Sequence, residues 1–399
     1  MNPVNTPISQ RLARANPTTF STYCIVAAFS AYFCMYAFRK PFTAGTFEDT
    51  MLWGIGYKTI LVISQVIGYT LSKFIGIKII SEMPPQKRGR TILALIGVAH
   101  TALLLFAIIP PPWNFAFLFL NGLPLGMVFG LVLSFLEGRQ VTEALAAGLC
   151  ASFIVSSGVV KSVGRWLMLE HGVTEYWMPF LTGLIFIPPL VGAVWMLRQI
   201  PPPSDKDISM RSARLPMNRH DRSRFFWKFA PGLILLFTTY VLITILRSIR
   251  DDFAVEIWAE LGEEGKPAIF AQSETAVMLG VMCITGAAIV IKNNRRAFLI
   301  AIVTIFVGFA LVLLATFSFQ RGWSGPMTFM ISTGLGLYIP YVAFHTTLFE
   351  RLIAVFREKS NLGYLMYIAD AVGYLGYVVV MLIRNFGKPD VDYLHFFIH

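Results

Sequence analysis

Eleven stretches of this sequence are long and apolar enough to cross the roughly 30 Å hydrocarbon core of a bilayer as α-helices. Inside a membrane every backbone N–H and C=O must bond within the protein, so a spanning chain is limited to helices or a closed β-barrel. These stretches are continuously apolar and do not alternate in ten-residue segments, which excludes the barrel. They lie near residues 20–40, 57–80, 91–110, 113–136, 144–168, 175–198, 229–250, 268–291, 297–316, 325–349 and 361–384.

The composition agrees with a membrane protein. Hydrophobic residues make up 56% of the chain and charged residues only 14%, and the mean hydropathy is +0.64. A soluble domain carries about 25% charged residues. We therefore predict an all-α membrane protein with about 11 transmembrane helices.

The charges between the spans predict how the chain is oriented. Loops rich in Lys and Arg alternate with loops that are acidic or nearly neutral, and the N-terminus belongs to the basic set. Because basic loops stay on the cytoplasmic side, we expect a multi-pass inner (plasma) membrane protein with a cytoplasmic N-terminus. The net charge of +11 mostly reflects this topology, so nucleic-acid binding is not expected.

A polar segment divides the spans into two groups. Residues 199–226 contain a proline triplet that starts at Pro201, followed by a basic run without apolar periodicity, as in a solvated cytoplasmic linker. We predict an N-terminal six-helix bundle over residues 1–198 and a C-terminal bundle of five complete spans over 227–399. Six plus six helices around such a linker is typical of major facilitator superfamily transporters. The number of spans here is one short of twelve. Either a twelfth helix is truncated after His399 or the protein lacks it, and we favour truncation.

Two arginines occupy equivalent places in the two halves. Arg39 and Arg247 each follow an apolar run, and each has a tyrosine seven residues earlier, Tyr32 and Tyr240. On a helix this spacing places the two side chains on one face. A guanidinium at the bilayer centre costs at least about 3 kcal/mol. A chain that carries two of them symmetrically is expected to direct two fixed positive charges at an anion.

Structural roles remain open for these cations. Arg39 and Lys40 could be helix-end residues that extend to the lipid headgroups. Arg247 and Arg250 could pair with Asp251 and Asp252 in a cluster that only stabilises the fold. Lys73, deep in its span, could also have a structural role.

Several short motifs, in the same order along the chain, resemble the organophosphate:phosphate antiporter family of the major facilitator superfamily. A tyrosine-rich first helix that leads to Arg-Lys-x-Phe is typical of that family. The similar stretches are YFCMYAFRKPF at 32–42, GYTLSKF at 68–74, ILR at 245–247 with Asp252, SETA at 273–276, LYIP at 337–340 followed by Glu350, and GYLG at 373–376.

The resemblance implies a set of substrate-binding residues. Arg39 and Arg247 match the two arginines that clamp the substrate phosphate in the central cleft. Lys73 matches a cleft lysine, and Tyr32 and Tyr36 match aromatic cleft residues.

The resemblance also implies a gating system. Lys40, Asp252 and Glu274 match groups of the ion pairs that switch as the two bundles rock between inward-facing and outward-facing states.

The sequence departs from the family in two places. Residues 150–157 lack the substrate-binding histidine of the fifth helix, and residues 76–82 lack the usual Gly-x-x-x-Asp-Arg loop motif. These departures put the substrate and the usual gating contact in question.

Three further ionisable residues in the spans are additional candidates for the cleft: Lys161, His345 and Asp370. Lys161 could add cleft charge in place of the missing histidine, or could pair with Glu170 or extend to the headgroups. His345 could couple transport to protons or could be a packed, satisfied ring. Asp370, like Glu274, is a functional candidate, although pairing between helices would suffice to explain it.

Together these features predict a secondary active transporter with alternating access. The expected substrate is a phosphate-bearing or similar small organic anion, exchanged for inorganic phosphate. The sequence shows no enzyme signature, and we expect no cofactor and no metal. The expected partners are a small anionic solute and the lipid bilayer, with the protein a monomer. The alternatives are a proton-coupled carrier of another small solute and a transporter-like membrane receptor that transports nothing.

Overall fold

The computed structural model describes residues 6–81, 83–136, 139, 142–203, 219–289, 291, 293–356, 362–387 and 392–399. Within these residues eleven helices are long and apolar enough to cross a membrane, which confirms the predicted all-α fold. The helices are α1 (Pro7–Ala13), α2 (Pro17–Tyr36), α3 (Tyr57–Ser81), α4 (Pro85–Ile108), α5 (Phe115–Leu133), α6 (Thr142–His171), α7 (Met178–Arg198), α8 (Arg219–Asp252), α9 (Ala254–Glu260), α10 (Ala268–Ile289), α11 (Asn294–Gln320), α12 (Pro326–Ala343), α13 (Phe349–Phe356), α14 (Leu362–Gly387) and α15 (Tyr393–Ile398).

Two short elements interrupt this pattern of helices. A π-helical turn, Phe344–Leu348, joins α12 to α13, and the three pieces together form the tenth span. The strands β1 (Met51–Leu52) and β2 (Ile55–Gly56) pair antiparallel in the loop that precedes α3.

Local sequence explains where α2 begins and ends. The side chain of Asn16 caps the first turn, and Pro17 occupies the first helical position, where its missing N–H costs nothing. The helix ends at Tyr36 because Pro41 has no N–H to offer to the carbonyl four residues before it. After several tight turns the chain forms a short 3-10 helix, Pro41–Ala44.

Arg39 therefore lies in the turns after α2 and not on the helix itself. The seven-residue spacing from Tyr32 does not place these two side chains on one helical face, because the helix has already ended. Tyr240 and Arg247, in contrast, both lie within α8, where the same argument applies.

The boundary of the linker also differs from the prediction. Helix α8 begins at Arg219, inside the segment 199–226 that the sequence assigned to the linker. A polar, basic sequence is compatible with a helix that extends from the bilayer into water, so its lack of apolar periodicity did not mark the helix start. The remaining linker residues 204–218 lie outside the described residues.

The spans form two bundles, α2–α7 and α8–α14. The bundles meet along two pairs of helices, α3 against α14 and α6 against α10. At the second pair the approach is close, since a Cβ on Gly158 would lie 2.3 Å from Phe270 O. These four helices bound the cleft between the bundles.

The two bundles differ in whether a spanning helix covers the face formed by their first and third spans. In the N-terminal bundle α7 packs against α2 and α4. The corresponding helices of the C-terminal bundle, α8 and α11, border an apolar groove of about 640 Å³, and within the described ranges no spanning helix enters it. Its lining includes Phe229, Leu233, Leu236, Phe298, Ile302 and Phe309.

Candidate functional site

A narrow cavity of about 10 Å³ lies between the two bundles. This volume is enough for about one water molecule. Both bundles contribute aromatic and charged side chains to its wall. The lining residues are Tyr32, Tyr36, Arg39, Tyr69, Lys73, Phe129, Phe153, Tyr341, His345, Asp370 and Tyr374. Six of the lining residues are among those that the sequence singled out: Tyr32, Tyr36, Arg39, Lys73, His345 and Asp370.

Arg39 reaches the cavity from the turns that follow α2. Its side chain is buried, and its guanidinium lies over the ring of Tyr69, with 3.8 Å between the guanidinium carbon and the ring centroid. The rings of Tyr36 and Tyr374 lie farther away, at 5.8 and 5.9 Å. Among the described residues no carboxylate pairs with Arg39, and its Nε has no hydrogen-bond partner.

Arg247 is the counterpart of Arg39 in the C-terminal bundle. It is buried on α8, and its guanidinium lies 4.4 Å from the ring centroid of Tyr341 and 5.8 Å from that of Tyr338. Its one hydrogen bond in the described structure is a long one of 3.4 Å from Nη2 to Ser248 Oγ, and no described carboxylate pairs with it. Both arginines are thus held by tyrosine ring faces, which stabilise a cation without neutralising it.

A third cation in the cavity is neutralised. Lys73 Nζ lies 2.9 Å from Asp370 Oδ2, and this ion pair joins α3 of one bundle to α14 of the other. Asp370 also accepts a hydrogen bond from the hydroxyl of Tyr240 and lies 3.6 Å from His345 Nε2. The opposite ring nitrogen of His345 lies 2.9 Å from Tyr341 O. Asp370 is therefore the centre of a polar cluster that spans both bundles.

Most of the other buried charges lie together at one end of the cleft. We call the end where α2 stops and α3 starts the distal side. Four residues there, which we call the distal cluster, form ion pairs between the bundles: Lys40 and Lys161 with Asp251 and Asp252. Lys40 Nζ lies 2.6 Å from Asp251 Oδ2 and also contacts Asp252, while Lys161 contacts Asp251. The hydroxyl of Tyr377 donates to Asp252 at 3.0 Å.

A further ion pair lies beside the distal cluster. Lys58 Nζ is 2.6 Å from Glu256 Oε1 and donates to Thr43 O at 2.9 Å. Burial raises the pKa of the Glu256 carboxyl, while the neighbouring Lys58 ammonium acts in the opposite direction. Together with the distal cluster, this pair fastens the two bundles on the distal side.

The residues predicted for gating separate into two groups. Lys40 and Asp252 meet across the bundles, whereas Glu274 pairs with Arg250 of its own bundle at 2.7 Å. Lys161 pairs with Asp251 and so does not use Glu170 as its partner.

Several residues of the site were not singled out from the sequence. Tyr69, Tyr341 and Tyr374 surround the arginines. Asp251 was named only as a possible partner of Arg247, and it pairs instead with both lysines of the distal cluster. Tyr69 and Tyr374 lie inside quoted motifs, so their position in the chain was a usable signal.

Comparison with known proteins identifies a family and a fold. A protein family of unknown function, DUF5690, matches residues 41–399. A comparison with curated proteins finds no match. Among solved structures, the nucleoside transporter NupG has 13% identity, covers 95% of this chain and 94% of its own, and gives a TM-score of 0.61.

Two further structures are similar over nearly the whole chain. A D-xylose-proton symporter has 13% identity and a TM-score of 0.54. The match covers 93% of this chain and 91% of the symporter chain. The human organic anion transporter MFSD10 (TETRAN) has 14% identity, 96% and 100% coverage, and a TM-score of 0.55. The fold is that of the major facilitator superfamily, as the sequence predicted.

Proposed function

The chain belongs to the DUF5690 family, whose function is unknown, and we propose that it is a secondary transporter of a small anion. The proposed substrate carries a phosphate or a similar doubly charged group, and it is exchanged for inorganic phosphate by alternating access. One observation carries the proposal. Arg39 in the cavity wall and Arg247 against Tyr341 of that wall, one from each bundle, are buried with no described carboxylate to neutralise them.

The chemistry of these side chains favours a phosphate-like ligand. A guanidinium presents a planar fork of N–H donors that binds two oxygens of a phosphate or carboxylate at once. Lys73 is already paired with Asp370, so the charge left for a ligand belongs to the two arginines. A dianion would neutralise both, and it would favour the state in which the bundles close on it.

The same charges support exchange rather than one-way movement. An empty site would bury two uncompensated guanidinium groups, and burying unpaired charge is costly. The empty protein is therefore expected to reorient slowly, and an anion bound to both arginines would lower that cost. The motifs that resemble the organophosphate:phosphate antiporters support the same mechanism.

A second candidate function is a proton-coupled carrier. It is favoured by the cluster of His345, Asp370 and Lys73 in the cavity wall, because a carboxylate and an imidazole in contact can share a proton. In this case an imposed pH gradient would drive uptake without any phosphate inside the vesicle.

The test is uptake of labelled phosphate by proteoliposomes preloaded with phosphate. Arg39→Ala and Arg247→Ala are the informative variants. Arg321→Ala is the matched control, because Arg321 also lies over an aromatic ring, that of Phe317 at 4.9 Å, but is exposed at the end of α11.

We expect each of the two arginine variants to lower the exchange rate by about a hundredfold or more, since loss of a buried pair of arginine and anion costs about 3 kcal/mol. The control should exchange at the wild-type rate. Uptake that depends on a pH gradient and not on internal phosphate would favour the proton-coupled carrier. Binding of phosphate without any uptake would favour a receptor. If correctly inserted wild-type protein neither exchanges nor binds phosphate, the anion proposal is wrong.

A further inference from the structure

Two backbone carbonyls next to Arg39 are bound by side chains instead of by the helix. Beyond the end of α2, Phe38 O accepts a hydrogen bond of 2.9 Å from the side-chain amide of Asn121. Arg39 O accepts one of 2.8 Å from the side-chain amide of Gln65. In a continuous helix the donor to Arg39 O would be the N–H of Thr43, which bonds to Lys40 O instead. The amides therefore replace donors that the interrupted helix lacks.

The two amides also bind each other. Gln65 Nε2 donates to Asn121 Oδ1 at 2.7 Å, and Asn121 Nδ2 makes its second bond to Ala99 O at 3.0 Å. All four amide N–H groups are thereby used, and both side chains are buried, Asn121 completely. A buried polar network in which each donor is satisfied has one well-defined geometry. The peptide carbonyls of Phe38 and Arg39, which this network binds, are therefore held in a fixed position.

Close packing of α3 and α5 brings the two amides together. A Cβ on Gly122, next to Asn121, would lie 2.3 Å from Gln65 O, and a Cβ on Gly68 would lie 2.2 Å from Phe119 O. Only glycine allows backbones to approach this closely. The pair of amides thus connects three helices, α3, α4 and α5, to the peptide groups that carry Arg39.

We propose that Gln65 and Asn121 are positioning residues for Arg39. They fix the peptide groups at Phe38 and Arg39, and so keep the guanidinium over the ring of Tyr69 and ready for an anion. Neither side chain lines the cavity, so they act on the ligand only through Arg39. This role rests on the proposed anion-binding function, and the part of it that concerns the backbone can be tested without a ligand.

The test compares Gln65→Met and Asn121→Leu with Asn114→Leu. The first two remove the amides with little change in size. Asn114 is an equally buried amide in the same bundle that bonds to Tyr57 and Phe106 O, away from Arg39. Gln65→Asn, which shortens the side chain by one methylene, is a milder variant for use if the larger changes prevent folding.

Two measurements are made on each variant. Hydrogen exchange of residues 37–45 is followed by mass spectrometry in the absence of any anion. KM and the maximal rate of phosphate exchange are measured in proteoliposomes. We expect the amides of 37–45 to exchange about tenfold faster or more in the Gln65 and Asn121 variants and unchanged in the Asn114 variant. KM should rise about tenfold while the maximal rate stays within about threefold.

Each contrary result would overturn one part of the proposed positioning role. Unchanged hydrogen exchange in 37–45 would show that the amides do not hold this segment, whatever transport does. Faster exchange with an unchanged KM would show that Arg39 does not need this support. A wild-type protein that neither exchanges nor binds phosphate would remove the proposed function and the affinity role together, and the hydrogen-exchange result would still decide the backbone role.

Discussion

At the scale of single residues, the buried cations differ in what stabilises them. Lys73 lies against the carboxylate of Asp370, which cancels its charge. Arg39 lies against the face of Tyr69, which lowers the energy of the cation and leaves its charge in place. A ring face therefore suits a cation that must stay available for a ligand, and a carboxylate suits one that holds the fold together.

This difference can be tested at Tyr69. Tyr69→Leu removes the ring beneath Arg39, whereas Tyr69→Phe keeps the ring face and removes only the hydroxyl. A cation–π contact in a desolvated site contributes about 1–2 kcal/mol, so the Leu variant should raise KM for phosphate exchange about tenfold. The Phe variant should stay within about threefold of wild type. Equal losses in the two variants would mean that the hydroxyl, and not the ring face, is the important group.

At the scale of helices, two interruptions place Arg39 and His345 at the cavity. Helix α2 ends before Arg39, and the π-helical turn Phe344–Leu348 in the tenth span contains His345. A π-turn inserts a residue into the helical repeat and is frequent at functional sites. Both interruptions lie at the cavity, while the helices that frame it, such as α3 and α5, are packed tightly through glycines.

Glycine substitutions test the packing of α3 on α5. In Gly122→Ala the new methyl group would lie 2.3 Å from Gln65 O, so the helices must separate and the melting temperature in detergent should fall by several degrees. Gly97→Ala is the control, since a Cβ there has no atom within 4 Å. The control should melt at the wild-type temperature or above it, because Ala is favoured over Gly in a helix by about 0.5–1 kcal/mol. Similar melting of both variants would contradict the close approach of the two helices.

At the scale of the whole molecule, ion pairs on the distal side join the two bundles. The distal cluster and the pair of Lys58 and Glu256 both take their cations from the N-terminal bundle and their carboxylates from the C-terminal bundle. Removing one partner of such a pair leaves the other as an uncompensated buried charge. Any opening on the distal side must separate all of these charges.

Charge reversal tests the pair of Lys58 and Glu256, in which the glutamate side chain is 18% exposed. Lys58→Glu and Glu256→Lys should each lower the melting temperature, because each places two like charges side by side. The double variant restores one charge of each sign and should recover at least half of the loss. An additive effect of the two changes would mean that the two side chains do not interact across the bundles.

The sequence was sufficient for the spans and not for the cavity. Hydrophobic runs are a local signal, so all the spans could be located without knowledge of their neighbours. Which ring lies against Arg39 or Arg247 depends on how helices from distant parts of the chain rotate against each other. The role of Asp251 was missed for the same reason, since Lys40 and Lys161 approach it from the other bundle. Gln65 and Asn121 gave a signal that went unused, as amides within apolar spans usually bond to another helix.

The small volume of the cavity determines where a transported ion would lose its hydration shell. A space of about 10 Å³ lined by Arg39, Tyr69 and Tyr341 holds about one water molecule, far less than the shell of a free anion. The cleft must therefore fill with water before a solute can enter, and that water must leave when the bundles close. Anions would then be distinguished mainly at the closing step, by how readily each exchanges its water for guanidinium groups.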